Sequence, residues 1–214
     1  MAFESPNVVS DYIFLPRSRH MIVNKKQLLL HILRARSIAR RYLITNGFDG
    51  SLTMLGMLTG FYVSGMKELS VAISACLGAT VALFISGLSS AYLSEKAERE
   101  KELRELEQAL LIDLKESDYG QASRYLPVVV ALVNGLAPLL LSLVILLPLF
   151  FAEQLRSLPS SPFINSIFVA LICIFFLGVF IGQISKTFWL WSGLRTLITA
   201  IVTVVIILLF GLYI

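Results

Sequence analysis

The chain has 214 residues, 57% of them hydrophobic and 15% charged, against the ~25% charged share usual in soluble domains. Its 18 Lys and Arg and 14 Asp and Glu crowd into the N-terminal end and residues 95–124, leaving long runs almost uncharged. This composition excludes a soluble enzyme domain, and it makes the net charge of +4 a matter of topology and anionic lipid, with no nucleic acid expected as partner.

Residues 1–20 contain Glu4, Asp11 and Pro16 and no apolar stretch of signal-peptide length, so no cleavable leader is expected. Met21 is a second possible start. Residues 25–42 read as a basic amphipathic helix lying on the membrane surface, with His31 in its apolar stretch as interfacial packing. Crossing a ~30 Å hydrocarbon core takes roughly 20 apolar residues. Five segments have that length, near 43–66, 69–94, 126–151, 163–185 and 188–214. The expected fold is therefore all-α: a polytopic membrane protein with five transmembrane helices. Its organisation is a 1–42 N-terminal segment, spans one and two over 43–94, a Glu-rich segment over 95–125, and spans three to five over 126–214. Lys and Arg gather before span one, between spans two and three, and at Lys186, whereas the opposite connections hold only Lys67 and Arg156. The positive-inside rule then puts the N-terminus in the cytoplasm and the C-terminus outside.

Span one carries Asn46-Gly47-Phe48-Asp49-Gly50. Asp49 lies eight residues beyond Arg41, about 12 Å deeper at ~1.5 Å per residue. An ionised carboxylate at such depth costs about 2.5–3.5 kcal/mol, so it needs a partner, a cavity or an ion. Its flanking glycines admit a close neighbour and can loosen the helix. Thr53 and Met57 follow at i+4 and i+8, setting a carboxylate, a hydroxyl and a thioether on one stripe. The plainer reading is an aspartate that caps a helix or neutralises an arginine.

Span two carries small residues at every fourth position, Ser74, Gly78, Ala82, Ser86 and Ser90, a pattern that lets helices pack backbone to backbone in lipid. Gly56 and Gly60 of span one offer a matching notch. Cys76 and Cys173 fall inside spans and read as small apolar core residues. Neither Gly nor Pro separates span two from Ser94–Glu116, so its helix is expected to run on into the cytoplasm. Leu103, Leu106, Leu110 and Leu114 form a seam there suited to a partner helix. Glu95, Glu98, Glu102 and Glu105 align along one face, a column able to hold divalent cations through hard oxygen ligands. The bland alternative is a solvated helix, with Glu95–Arg99 and Glu100–Arg104 as ordinary i,i+4 pairs.

Gly120 is expected to end the cytoplasmic segment. Span three then holds Asn134-Gly135 and Pro138, a polar, kinked point at membrane depth. Arg41-Tyr42-Leu43 and Arg124-Tyr125-Leu126 open spans one and three alike, and Asn-Gly follows each, a hint of an internal repeat. Pro159 and Pro162 mark an external loop, and Gln183 and Lys186 close span four. Trp189 and Trp191 sit at the headgroup level.

Asp49-Gly50-Ser51-Leu52-Thr53 resembles the opening of the first span in the vacuolar iron transporter family. So do Ile85-Ser86, then Tyr92-Leu93-Ser94 with the Glu-rich helix. Gly178–Ile214, with Gly182, Lys186, Ser192, Leu194-Arg195 and Gly211, is also similar to that family. The resemblance covers residues 40–214. It implies a homodimer that exports Fe²⁺ or Mn²⁺ from the cytosol in exchange for protons, with Asp49 in translocation and Glu95, Glu98, Glu102 and Glu105 collecting metal. Plant and fungal members place a Glu in mid-span two and a Met just after the Ile-Ser pair, where this chain has Ala79 and Gly87. Its cytoplasmic module is also shorter, so it looks like a divergent, prokaryotic branch.

The expected function is thus a divalent metal transporter. Asp49 and Asn134 line its path between subunits, Met57 is a further candidate ligand, and the glutamate column forms the cytoplasmic mouth. Fe²⁺ or Mn²⁺ is substrate, and no resident cofactor is expected. The location is the cell membrane in a prokaryote, or a vacuolar or other endomembrane in a eukaryote. Two alternatives keep the topology: a carrier of another cation or small solute, or a scaffold that docks a partner through Leu103, Leu106 and Leu110. A membrane enzyme is not expected, because the chain has no nucleophile–His–acid set, no nucleotide loop and no His/Cys cluster.

Overall fold

The structure, a computed structural model, describes residues 25–154 and 161–211, with side chains from Ile38 onward except that of Asp118. The described residues form helices α1 (Lys25–Val63), α2 (Leu69–Leu110), α3 (Asp118–Phe150), α4 (Pro162–Ile184) and α5 (Trp189–Gly211). Four of them, α2 to α5, are long and apolar enough to cross a membrane. This is the build of an integral membrane protein. Helix α1 is not among the four, because Asn46, Asp49, Ser51, Thr53 and Thr59 dilute its apolar half. Yet Ser51, Met54, Leu55, Leu58 and Thr59 are all 2% exposed or less. Helix α1 can carry polar groups because much of it faces protein.

Several boundaries differ from the sequence expectation. The basic segment and the first apolar segment belong to one uninterrupted helix, and the glycines around Asp49 do not loosen it. The reading of His31 and of Pro159 falls outside the described side chains and residues. Helix α2 does run on past Ser94, but it stops at Leu110, short of Glu116. Leu111 takes the left-handed conformation at φ 54°, the Glu107 carboxylate accepts the Leu114 N–H at 3.0 Å, and Asp113 accepts that of Lys115 at 2.9 Å. These acceptors satisfy amides the helix would otherwise have used, and Leu114 leaves the leucine seam. The Lys115 amide, more than any other group, also holds the Asp113 carboxyl below the usual carboxylate range. Helix α3 begins at Asp118, capped by the Ser117 hydroxyl, which accepts the Gly120 N–H at 3.1 Å. Gly120 therefore sits in the first turn of α3. A Cβ there would strike the carbonyl oxygens of Leu114 and Lys115. Helix α4 starts with Pro162 behind the Ser161 cap.

Helix α1 packs on α3, α4 and α5, α2 packs on α3, and α4 on α5, while α1 and α2 barely touch. The expected pairing of Gly56 and Gly60 with the small-residue stripe is therefore not made. Gly56 faces Ile207 of α5, and Gly60 faces open space. Ser74, Gly78, Ala82, Ser86 and Ser90 are all exposed on the outer surface. The core gathers Met54, Leu55 and Leu58 of α1, Cys76 of α2, Ile145 and Leu146 of α3, and Ile174 of α4. Cys76 and Cys173 are both free thiols, and Cys76 packs as the core residue its setting suggested. Between α4 and α5, Gly178 approaches the Gly193 Cα so closely that a Cβ would lie 2.9 Å from it. The Thr196 hydroxyl there donates to the Ile174 carbonyl at 3.1 Å.

Candidate functional site

Asp49 is exposed on α1, and its carboxylate has no ion pair among the described residues. The neighbouring stripe is less open than its spacing suggested. The Thr53 hydroxyl donates to the Asp49 carbonyl at 2.7 Å. Met57 is half-buried and packs against the apolar core. Of the three polar or soft groups on that face, the carboxylate stands most clear of its own chain.

One turn before Asp49, a hydrogen-bonded relay joins three helices. The Asn46 amide donates to the Asn134 side-chain oxygen, and at 3.3 Å to the Tyr42 carbonyl. The Asn134 amide in turn donates to the Gly87 carbonyl of α2 at 2.6 Å. Asn134 is 2% exposed, so both ends of its amide are engaged inside protein, where hydrogen bonds between helices substitute for water. The structure thus sets Asn134 in a packed seam and Asp49 on an open face. Gly87 explains the seam: a Cβ there would lie 3.2 Å from the Asn134 carbonyl oxygen and 3.4 Å from its amide nitrogen. The position where the resembled family has a methionine here receives an asparagine from α3. Ala79, the other departure, packs against the core. The paired Asn-Gly steps signalled a special point in each helix, but not that the two asparagines meet each other.

The glutamate column divides in the same way. Glu95 is 7% exposed and accepts from the Tyr42 hydroxyl of α1 at 3.3 Å and from Arg99 at 3.5 Å. Arg99 also pairs with Glu102, which accepts from the Tyr119 hydroxyl of α3 at 3.3 Å. Two of the four carboxylates are therefore tied to one guanidinium at the root of the α2 extension. Glu98 is exposed, and Glu105 is exposed beside Lys101 at 4.0 Å. The ordinary pairs foreseen in the sequence, Glu95–Arg99 and Glu100–Arg104, are both present, the latter at 4.0 Å. Among the described residues no three His, Cys, Asp or Glu side chains converge.

The chain is similar to an uncharacterized protein of Methanocaldococcus jannaschii. The two are 29% identical over 195 residues, 90% of this chain and 94% of that protein. No protein-family model and no solved structure matches the chain.

In chemical terms the site is one open carboxylate beside a packed amide seam. A single carboxylate supplies one or two oxygens, too few to strip a divalent ion of its water. A second copy of the chain, or carbonyl and hydroxyl oxygens from elsewhere, must complete any coordination sphere at Asp49.

Proposed function

We propose that this protein is a transporter of divalent transition metal, Fe²⁺ or Mn²⁺, working as a homodimer with five spans per chain and the N-terminus in the cytosol. The reading rests above all on Asp49. A carboxylate about 12 Å past the arginine boundary points outward from its own chain and has no ion pair among the described residues. Facing lipid it would be costly. Facing its copy across a two-fold axis, it becomes one of a pair of oxygen ligands, and the exposed Ser74–Ser90 stripe of α2 is a surface on which a helix of that copy can pack. A carboxylate that holds either a metal ion or a proton is also the simplest means of exchanging one for the other. On this reading the exposed Glu98, and Glu105 with only the exposed Lys101 beside it, are the cytoplasmic groups open to incoming metal.

The test is metal uptake into vesicles that hold the reconstituted protein and a metal-sensitive dye. Wild type is expected to pass Fe²⁺ and Mn²⁺, and Asp49→Ala to fall to the rate of empty vesicles. An Asp49→Ala variant as fast as wild type would remove Asp49 from the path.

One observation favours a second reading, a scaffold. At the tip of α2, Leu106, Leu110, Leu111 and Ile112 are 37%, 56%, 90% and 55% exposed, an apolar end that a partner helix can cover. Absence of any ion flux, together with specific capture of a partner that Leu110→Glu abolishes, favours the scaffold over the carrier.

A further inference from the structure

Where α2 leaves the apolar zone it runs beside the start of α3, and the two enclose a groove of about 510 Å³, within the range of small-ligand sites. Five of its lining residues are cationic and two are acidic. The charges are not evenly matched along it. Arg99 is held by Glu95 and Glu102, and Lys115 leans on Asp113 at 3.8 Å. Lys96 and Arg104 share one carboxylate, Glu100, each at 4.0 Å, while Glu107 is turned to the Leu114 amide. Arg124 has no ion pair among the described residues. The least compensated positive charge thus lies at the membrane-side end, with Arg124 of α3 and with Lys96 of α2, which has only a share of Glu100.

That end has three further properties. Ser123, next to Arg124 in the opening turns of α3, lines the groove, where the helix dipole is positive. Tyr92 and Pro127 add apolar wall. Its height along the molecule is also defined. Arg124 immediately precedes the uncharged run from Leu126, and Lys96 closely follows the uncharged part of α2. Both cations therefore sit where a bilayer's phosphates lie, and a guanidinium matches phosphate in geometry as well as charge.

We propose that this groove is a phosphate-binding site, and that its occupant is the headgroup of an anionic phospholipid clasped between Lys96 and Arg124. This site is separate from Asp49 and does not depend on metal transport. The full-length protein is placed in nanodiscs of phosphatidylcholine mixed with phosphatidylglycerol, and the lipid it retains on release is counted by native mass spectrometry. Wild type is expected to retain phosphatidylglycerol preferentially. Lys96→Gln and Arg124→Gln should each weaken that preference about fivefold. Arg124→Lys should keep most of it, and Lys101→Gln, which removes the same charge from the same helix outside the groove, should leave it unchanged. Inorganic phosphate added as competitor separates the sources. Retention that resists it marks a lipid, and binding of phosphate itself without lipid preference marks a soluble phosphate compound in the same clasp. Equal retention of both lipids with no effect of phosphate overturns the proposal, as does a loss in Lys101→Gln as large as in Arg124→Gln.

Discussion

Gly50, next to Asp49, is where the backbones of α1 and α3 come together. A Cβ at Gly50 would lie 2.7 Å from the Pro138 Cβ and 2.8 Å from its Cα. Neither atom belongs to a flexible chain end, so room can come only from moving α3. Gly60, further along the same helix, has nothing within 4 Å of an added Cβ. The two glycines should therefore respond oppositely to the same change. Gly50→Ala is expected to destabilise the protein by about 1–3 kcal/mol, the usual cost of overpacking, whereas Gly60→Ala should stay within about 0.5 kcal/mol of wild type. Thermal unfolding of the purified variants in detergent measures the difference, and matched melting temperatures would refute the close crossing. The sequence marked the Gly-Phe-Asp-Gly step as unusual and the depth of Asp49 as costly. It did not disclose that Gly50 serves a proline 88 residues later, because a helix crossing is a property of two helices together.

Helix α2 illustrates which features of a helix are local. Its passage from span into extension follows from the lack of Gly or Pro, and the Glu95–Arg99 pair from a spacing of four. Both were legible. Its stop at Leu110 was not, since the amides beyond it are taken by Glu107 and Asp113 after the chain has turned back. Equally hidden were Tyr42 and Tyr119, which reach Glu95 and Glu102 from α1 and α3. Together these groups brace the extension on both neighbours. The brace depends on Arg99, whose side chain is 14% exposed beside a Glu95 side chain 8% exposed. Removing one partner of so buried a pair strands the other charge, a loss of about 3–5 kcal/mol, while replacing both by apolar residues can be nearly neutral. Arg99→Leu should therefore unfold at markedly lower temperature than wild type. The double variant Glu95→Leu with Arg99→Leu should recover much of that loss. A double variant less stable than the single one would show that the pair is no brace.

Across the whole molecule, the uncharged runs read as five spans, of which four, α2 to α5, are long and apolar enough to cross a membrane, since burial in lipid leaves so plain a mark on composition. The order of helices in space could not. Chain neighbours α1 and α2 meet at few points, the Tyr42–Glu95 bond among them, both pack mainly on α3, and α1 also lies against α4 and α5. Short loops permit many such arrangements. This placement leaves two features on the outside that lipid does not explain, the Asp49 carboxylate and the Ser74–Ser90 stripe. A stripe of small and hydroxyl-bearing residues offers little dispersion to acyl chains but a close, hydrogen-bonding seat to another helix. In the proposed homodimer the stripe lies at the two-fold axis, so a cysteine there meets its own copy. With Cys76 and Cys173 replaced by alanine, Ala82→Cys is expected to give a crosslinked dimer on mild oxidation in native membranes. Val202→Cys, 49% exposed on α5, should stay monomeric because α5 faces lipid. Crosslinking at both positions would indicate random collision, and crosslinking at Val202 alone would move the dimer axis to α5 and leave Asp49 of each chain without its counterpart.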